Sequence, residues 1–396
     1  MQVLVATRAL AAPGGSETYL LTVVPQLRQL GHDVTCYSPV GGECAERLRS
    51  MGVEVHHHLN GLERPDVAHV QHAPTALHVR GRFPDVQIVY VCHSSVLEVE
   101  DPPRGVDPQA VVALSESVAR RLRAGTAPTP VRLRQPVAVP YADDAVVPIA
   151  VRPRRAVLAA HARMVEPVLR AACADEGIEL VVMGAGDGVP DDVTPSFMAA
   201  DIVFAVGRTL LEALAVGRAG FVLDDRGSGG FVDDTTYPAI EAGAFARFDP
   251  APVTVDSLRA QLAMYRPELG RIGLELIRRH HSARIHARDL VEVYEKARSV
   301  EQLPGTDFEH ILRAFGDALE EQFRLTFSHR AVAWQAAALE RELADAHRTL
   351  AAAESKLAAT STELARVEHE LAALRATRVM RWSAPLRRAV ERRRRP

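Results

Sequence analysis

The sequence predicts an α/β protein built from two successive parallel-sheet units and a helical extension, and three features predict it. Through the first third of the chain, short runs rich in Val, Ile and Tyr alternate with segments of helical periodicity. The alternation stops at a proline-containing stretch, residues 136–153, and then resumes. Beyond it, Leu343, Leu350, Leu357, Leu364 and Leu371 recur every seven residues. Strands separated by helices need crossover connections, so the sheets are expected to be parallel and covered on both faces. Two such sheets joined by a linker leave a cleft at the carboxyl ends of both strand sets, where α/β proteins bind ligands.

In order, the first unit reads as strands Val3–Ala6, Val34–Tyr37, Val53–His57, Val67–Gln71, Gln87–Cys92 and Ala110–Leu114. Helices are expected at Glu17–Leu30, Cys44–Met51 and Ser115–Ala124. The second unit reads as strands Ala156–Ala159, Ile178–Met183, Asp201–Val206 and Gly220–Leu223. Its helices are Glu166–Glu176, Thr209–Val216, Val255–Met264, Pro267–Arg279 and Ser282–Arg298. Asp224–Phe231, rich in glycine, reads as a loop. The domain boundaries that follow are 1–145, 146–300, an amphipathic helical segment 301–330, a coiled coil 331–378 and a basic tail 379–396. With the heptad leucines at position a, Ala346, Ala353, Thr360, Val367 and Leu374 fall at d and close the seam, so self-association or a partner helix is expected.

A formal charge of −3 over 396 residues argues against a chain-wide nucleic-acid surface. Lys296 and Lys356 are the only lysines, so a phosphate-binding cation here is an arginine. Cys36, Cys44, Cys92 and Cys173 form no CxxC pair and read as small core residues of a reducing compartment. With no signal-like pattern at its start and no apolar run of spanning length, the chain is expected to be cytoplasmic.

Two glycine turns stand out. Gly14-Gly15-Ser16-Glu17 joins the first strand to the first helix; glycine there allows close backbone approach to an anion, and Ser16 with Glu17 would equally cap the helix. Gly207-Arg208-Thr209 joins a strand to a helix carrying Glu212. A helix N-terminus beside an arginine suits an anion, with Glu212 placed to accept from a ribose. Thr209 and Glu212 also have capping-box spacing, which needs no ligand. The two readings stay open on spacing alone.

The Leu210-Leu211-Glu212-Ala213-Leu214-Ala215-Val216-Gly217 helix resembles the donor site of group-1-type (family 4) glycosyltransferases. So, in order, do Gly14–Glu17 with Gly31–Val34, Pro65–His69, Val89–His93, Val111–Glu116 and His281–Tyr294. The resemblance covers most of residues 1–300. It implies two Rossmann-like domains facing a central cleft (the GT-B architecture), with the terminal helices crossing back to the first domain. It also implies sugar transfer from a nucleoside-diphosphate donor to an acceptor hydroxyl. On that reading Gly14 and Gly15 face the donor phosphates; Gly207, Arg208, Thr209 and Arg163 hold the diphosphate; Glu212 binds the ribose; and His93 is the catalytic-site residue near the reacting sugar. No cofactor or metal is expected, since arginine and helix N–H groups supply the charge for the leaving group. Asp224-Asp225 and Asp233-Asp234 are the weaker metal alternative. Phe204 stands eight residues before Glu212, where the family carries glutamate, and Arg163 is the cation in a segment where the family has both Arg and Lys. A non-catalytic scaffold of the same fold and a sugar-nucleotide epimerase are therefore the alternatives. Arginines interleaved with Met380, Trp382 and Leu386 at the carboxyl end suit an anionic membrane surface. Together these point to a lipid-linked or other glycan acceptor in bacterial cell-envelope polysaccharide or glycolipid synthesis, at the inner face of the membrane.

Overall fold

The computed structural model describes residues 1–93, 101–103, 105–123, 128–139, 147–159, 162–183, 194–246, 252–300, 356, 358–374 and 378–393. Its contacts divide the chain into two units, Met1–Glu321 and Gln322–Pro396. In the first unit, a seven-stranded sheet carries β1 (Gln2–Ala6), β2 (Asp33–Tyr37), β3 (Glu54–His56), β4 (Val67–Val70), β5 (Ile88–Cys92), β6 (Ala110–Ala113) and β7 (Val131–Arg132). The spatial order is β3-β2-β1-β4-β5-β6-β7, all parallel. The strand order reverses at β1, which pairs with β2 on one side and β4 on the other, so a crevice opens at its carboxyl end.

The second sheet is built from β8 (Arg155–Leu158), β9 (Glu179–Val182), β10 (Ile202–Ala205), β11 (Ala219–Asp224) and β12 (Gly227–Phe231), in the order β12-β11-β10-β8-β9. Its strands are parallel except β12, which runs antiparallel to β11 as an edge. The 224–231 segment is thus a hairpin strand rather than a loop. Asp224 accepts from the backbone and guanidinium of Arg226 and so fixes the turn, while Phe231 packs edge-on against Phe221 with ring centroids 4.9 Å apart.

Helices α1 (Gly15–Gln29), α2 (Glu43–Ser50), α3 (Ala73–Arg82) and α4 (Glu116–Arg123) cover the first sheet. Helices α5 (Glu166–Asp175), α6 (Thr194–Met198), α7 (Gly207–Ala215), α8 (Tyr237–Ala242), α9 (Val255–Leu262), α10 (Glu268–His280) and α11 (Ala283–Arg298) follow. The buried faces of α1 (Tyr19, Leu20, Val23, Val24, Leu27) and α11 (Ala287, Leu290, Val293, Tyr294, Ala297) share one core with Val3, Val5, Val89 and Val91 of the first sheet. α11 thus crosses back over the first domain, as the resemblance implies. Each fully buried Leu or Val in that seam stabilises the crossing by ~1.5–3 kcal/mol. The four cysteines are buried and free.

In the second unit, residues 358–374 are helical and exposed throughout. A further helix, α12, spans Arg378–Arg393. The predicted amphipathic segment 301–330 and most of the heptad run lie outside the described residues.

Candidate active site

The carboxyl ends of β1 and β10 bring the first glycine turn and the start of α7 to opposite walls of one cleft of about 750 Å³; Gly207 itself stands outside the lining, which begins on α7 at Arg208. Gly14, Gly15, Thr18, Thr22 and Gln26 line it from α1, and Arg208, Thr209, Glu212 and Val216 from α7. Neither helix has a side-chain cap. α1 opens after Gly14 and α7 after Val206, both N-caps being extended backbone without a capping hydrogen bond. The two sequence-level caps are therefore corrected: Ser16 donates instead to Glu17, and Glu212 pairs with Arg208 rather than closing a box with Thr209. The helices begin earlier than those caps require because glycine begins them. Gly207 has φ +58°, a conformation glycine takes without a Cβ clash. At Gly15 a Cβ would meet nothing within 4 Å, so the backbone there is open to the cleft.

Arg208 is the hub of the wall. Its Nε donates to Glu212 Oε1 at 2.9 Å, Nη1 to the Pro136 carbonyl at 3.1 Å and Nη2 to the Thr22 hydroxyl at 2.6 Å. The side chain is 13% exposed, and burial pushes its pKa down while Glu212 pushes it back up. Glu212 is 28% exposed and spends Oε1 on the arginine; Oε2 takes no hydrogen bond among the described residues. The same helix is seated from behind by α10. A Cβ at Gly270 would lie 2.3 Å from the Gly217 carbonyl, and one at Gly273 2.6 Å from Leu214. Buried Arg218 donates to the Val216 and Ala200 carbonyls at 3.1 and 3.0 Å beyond the end of α7.

Four consecutive linker carbonyls are claimed by groups from the second half of the first unit. The Arg134 carbonyl accepts from His286 Nδ1 at 2.9 Å, and that of Gln135 from His281 Nδ1 at 2.8 Å. Pro136 serves Arg208, and Val137 accepts from the Ala283 N–H at 3.1 Å. These bonds fix both histidine tautomers: Nε2 is the acceptor, so Tyr19 donates to His286 and Tyr237 to His281, each at 3.0 Å. Burial pushes His281 down to about 3 and His286 to about 4, so both stay neutral.

His93, at the end of β5, lies edge-on to the Tyr19 ring at 4.9 Å. Its pKa falls well below the usual imidazole range, first through burial and then through His72, His69, Arg208 and His286. It therefore sits behind α1, near Arg208 electrostatically, rather than in the cleft lining. Arg163 is exposed on the turn between β8 and α5, at the carboxyl edge of the same sheet but outside the cleft lining. That turn is held by Asp225, which accepts from the Met164 and Val165 N–H groups at 2.8 and 3.2 Å. Asp233 accepts from Thr235, Thr236 and Arg266, so the acidic pairs serve turns. Among the described residues no three His, Cys, Asp or Glu side chains group as a metal ion would need. Phe204 is fully buried on β10 against Phe221, with ring centroids 5.0 Å apart; that position belongs to the core.

Three site features were not read from the sequence. The stripe Thr18, Thr22, Gln26 on α1 was detectable as the polar i, i+4 complement of the buried Tyr19, Val23, Leu27 face. Gln71, at the end of β4, is fully buried with neither amide atom hydrogen-bonded among the described residues. His72 follows it with φ +69°, a conformation that strains a non-glycine residue.

No family model and no curated protein matches this chain. Solved structures do. A glycosyltransferase from Rickettsia africae ESF-5 is 13% identical with a TM-score of 0.52, covering 76% of this chain and 99% of its own. Anabaena Alr3699/HepE in complex with UDP and glucose is 11% identical at 0.51, covering 74% and 99%, and its UDP-glucose complex is similar at 10% and 0.51. At such identities the likeness speaks for architecture. The chain has the GT-B fold: two parallel-sheet domains about a cleft, closed by a helix that returns to the first.

Proposed function

We propose that this protein transfers a glycosyl group from a nucleoside-diphosphate sugar to an acceptor hydroxyl in the synthesis of a bacterial cell-envelope polysaccharide or glycolipid. The observation that carries the reading is the cleft wall itself. Two helix N-termini without side-chain caps and Arg208 face one volume, with Glu212 one turn further along α7; of the α7 N–H groups, that of Gly207 is held by the Phe245 carbonyl at 2.9 Å. Such N-termini carry partial positive charge, and with a guanidinium they suit a diphosphate. In the reaction the bond between the sugar C1 and the diphosphate oxygen breaks, its electron pair leaving with the diphosphate. The acceptor oxygen forms the new bond to C1 and gives up its proton, which passes to the departing diphosphate oxygen or to water. Arg208 and the N–H groups of α7 would stabilise the departing charge, an effect worth ~3–4 kcal/mol for one well-placed donor. Glu212 would accept from the ribose hydroxyls through Oε2. His93, half-buried and neutral, would hydrogen-bond the reacting sugar or acceptor. Arg163 would reach the phosphates from the neighbouring strand end.

Phe204 favours a second reading. Its place in the core leaves the donor site without a carboxylate there, as in a scaffold that binds donor without turning it over. Titrating UDP- and GDP-sugars into the protein, followed by assay for nucleoside diphosphate release, separates the two. Binding with release supports a transferase, binding without release the scaffold, and no binding removes both site assignments.

The exposed helix 358–374 carries Leu364, Val367, Leu371 and Leu374 at 59%, 46%, 45% and 58% exposure, on the a and d positions of the heptad run. We propose that two copies of the chain pair through this seam. Light scattering should show the oligomer lost on deleting residues 331–378.

A further inference from the structure

We propose that α12 seats this chain on an anionic lipid surface, lying along the interface rather than crossing it. The helix spans Arg378–Arg393, 16 residues, so it is about 24 Å long at ~1.5 Å per residue, short of the ~30 Å hydrocarbon core. Its residues divide by helical position. Val379, Trp382, Leu386 and Val390 follow one another at intervals of three and four, which places them on one side. Arg381, Arg387, Arg388 and Arg392 fall on the remainder of the circumference, while Arg393, three residues past Val390, ends the apolar side with a cation. Leu386 is 71% exposed and Val390 53%, so among the described residues nothing covers the apolar side at those positions. Six arginines stand against one acid, Glu391, over the helix.

Charge complementarity selects the occupant. An apolar stripe alone would fit a partner helix, and arginines alone would fit any polyanion. A headgroup layer of negative charge above an acyl boundary meets both at once, and tryptophan favours that boundary. Pro385 is tolerated because the helix needs only its two sides, not an unbroken hydrogen-bond ladder through a hydrocarbon core. The inference stands apart from the donor site and does not depend on it.

The test is co-sedimentation of the full chain with vesicles of phosphatidylcholine alone or with phosphatidylglycerol added. Wild type, Leu386→Asp/Val390→Asp and Arg387→Ala/Arg388→Ala are compared, with a heparin-binding arm in parallel. The expected result is partitioning at least ~10-fold stronger onto phosphatidylglycerol vesicles, lost in both variants and weakened at high salt. Equal binding to both vesicle types, or none, would overturn the proposal. So would a pattern in which the arginine variant alone loses binding and heparin binding falls with it, since that describes a polyanion site. The altered positions are exposed, so an unchanged melting temperature will confirm that the body of each variant is folded.

Discussion

Arg208 on α7 and Thr22 on α1 meet across the cleft at 2.6 Å. The helix that carries Glu212 is thereby tied to the glycine-turn helix of the other sheet domain. The same guanidinium holds Glu212 and the Pro136 carbonyl, so one residue links both domains, the linker and the proposed ribose ligand. Thr22→Val keeps the shape and removes the acceptor. It is expected to cost about 1.5–3 kcal/mol, the range for a hydrogen bond to a charged group. Thermal denaturation should show a melting point lower by several degrees, with nucleotide-sugar affinity changed by less than a few-fold.

Gly15→Ala separates stability from binding. The added Cβ meets nothing within 4 Å, and alanine at the start of α1 should leave the melting temperature equal or slightly higher. If the diphosphate approaches that backbone, donor affinity should fall about tenfold, or ~1.4 kcal/mol. Calorimetry on a variant with wild-type stability reads that loss directly.

Gly270→Ala should do the reverse. Its Cβ would stand 2.3 Å from the Gly217 carbonyl, a backbone atom that cannot swing aside. Overpacking of this kind typically costs about 1–3 kcal/mol. The midpoint of urea unfolding should drop accordingly, and α7 should shift enough to weaken donor binding as a secondary effect.

The buried histidines set an acid limit. His69 and His281 are pushed down to about 3, His72 and His286 to about 4, each chiefly by burial. Unfolded, each titrates near 6.5, so below that pH the unfolded chain binds more protons and stability falls. The contribution is complete above pH 6.5 and is lost as pH drops toward 4. Each histidine adds a slope of up to about 1.4 kcal/mol per pH unit. Urea unfolding at pH 7.0, 6.0 and 5.0 should show this decline, and it should be shallower in His281→Gln, measured against the same variant at pH 7.0.

Much of this was legible from residue pattern. Short runs of strand-favouring residues, as in Val34–Tyr37 and the continuous apolar Ile202–Ala205, marked strands to within a residue or two. α3 was not, because Pro74, Thr75 and Gly81 weaken its helical signal. It folds because the proline sits in the first turn and buried Arg80 donates to the Val106, Pro84 and Val86 carbonyls. β12 was hidden by its glycines, which pairing with β11 overrides. Gly14, Gly15, Arg208, Thr209 and Glu212 were named from order and spacing, and the fold gathers them. The arginine's cross-domain bonds could not be read the same way. They depend on Thr22 and Pro136, distant in sequence and unremarkable in type.

Arg208 and Glu212 are proposed to form a nucleotide-sugar site. Calorimetric titration of UDP- and GDP-sugars into wild type and Glu212→Ala tests it most directly, with circular dichroism to confirm that the variant is folded. The expected result is saturable binding to wild type for one of the two nucleotides, weakened at least ~10-fold in the variant. Equal affinity in the two proteins would contradict it.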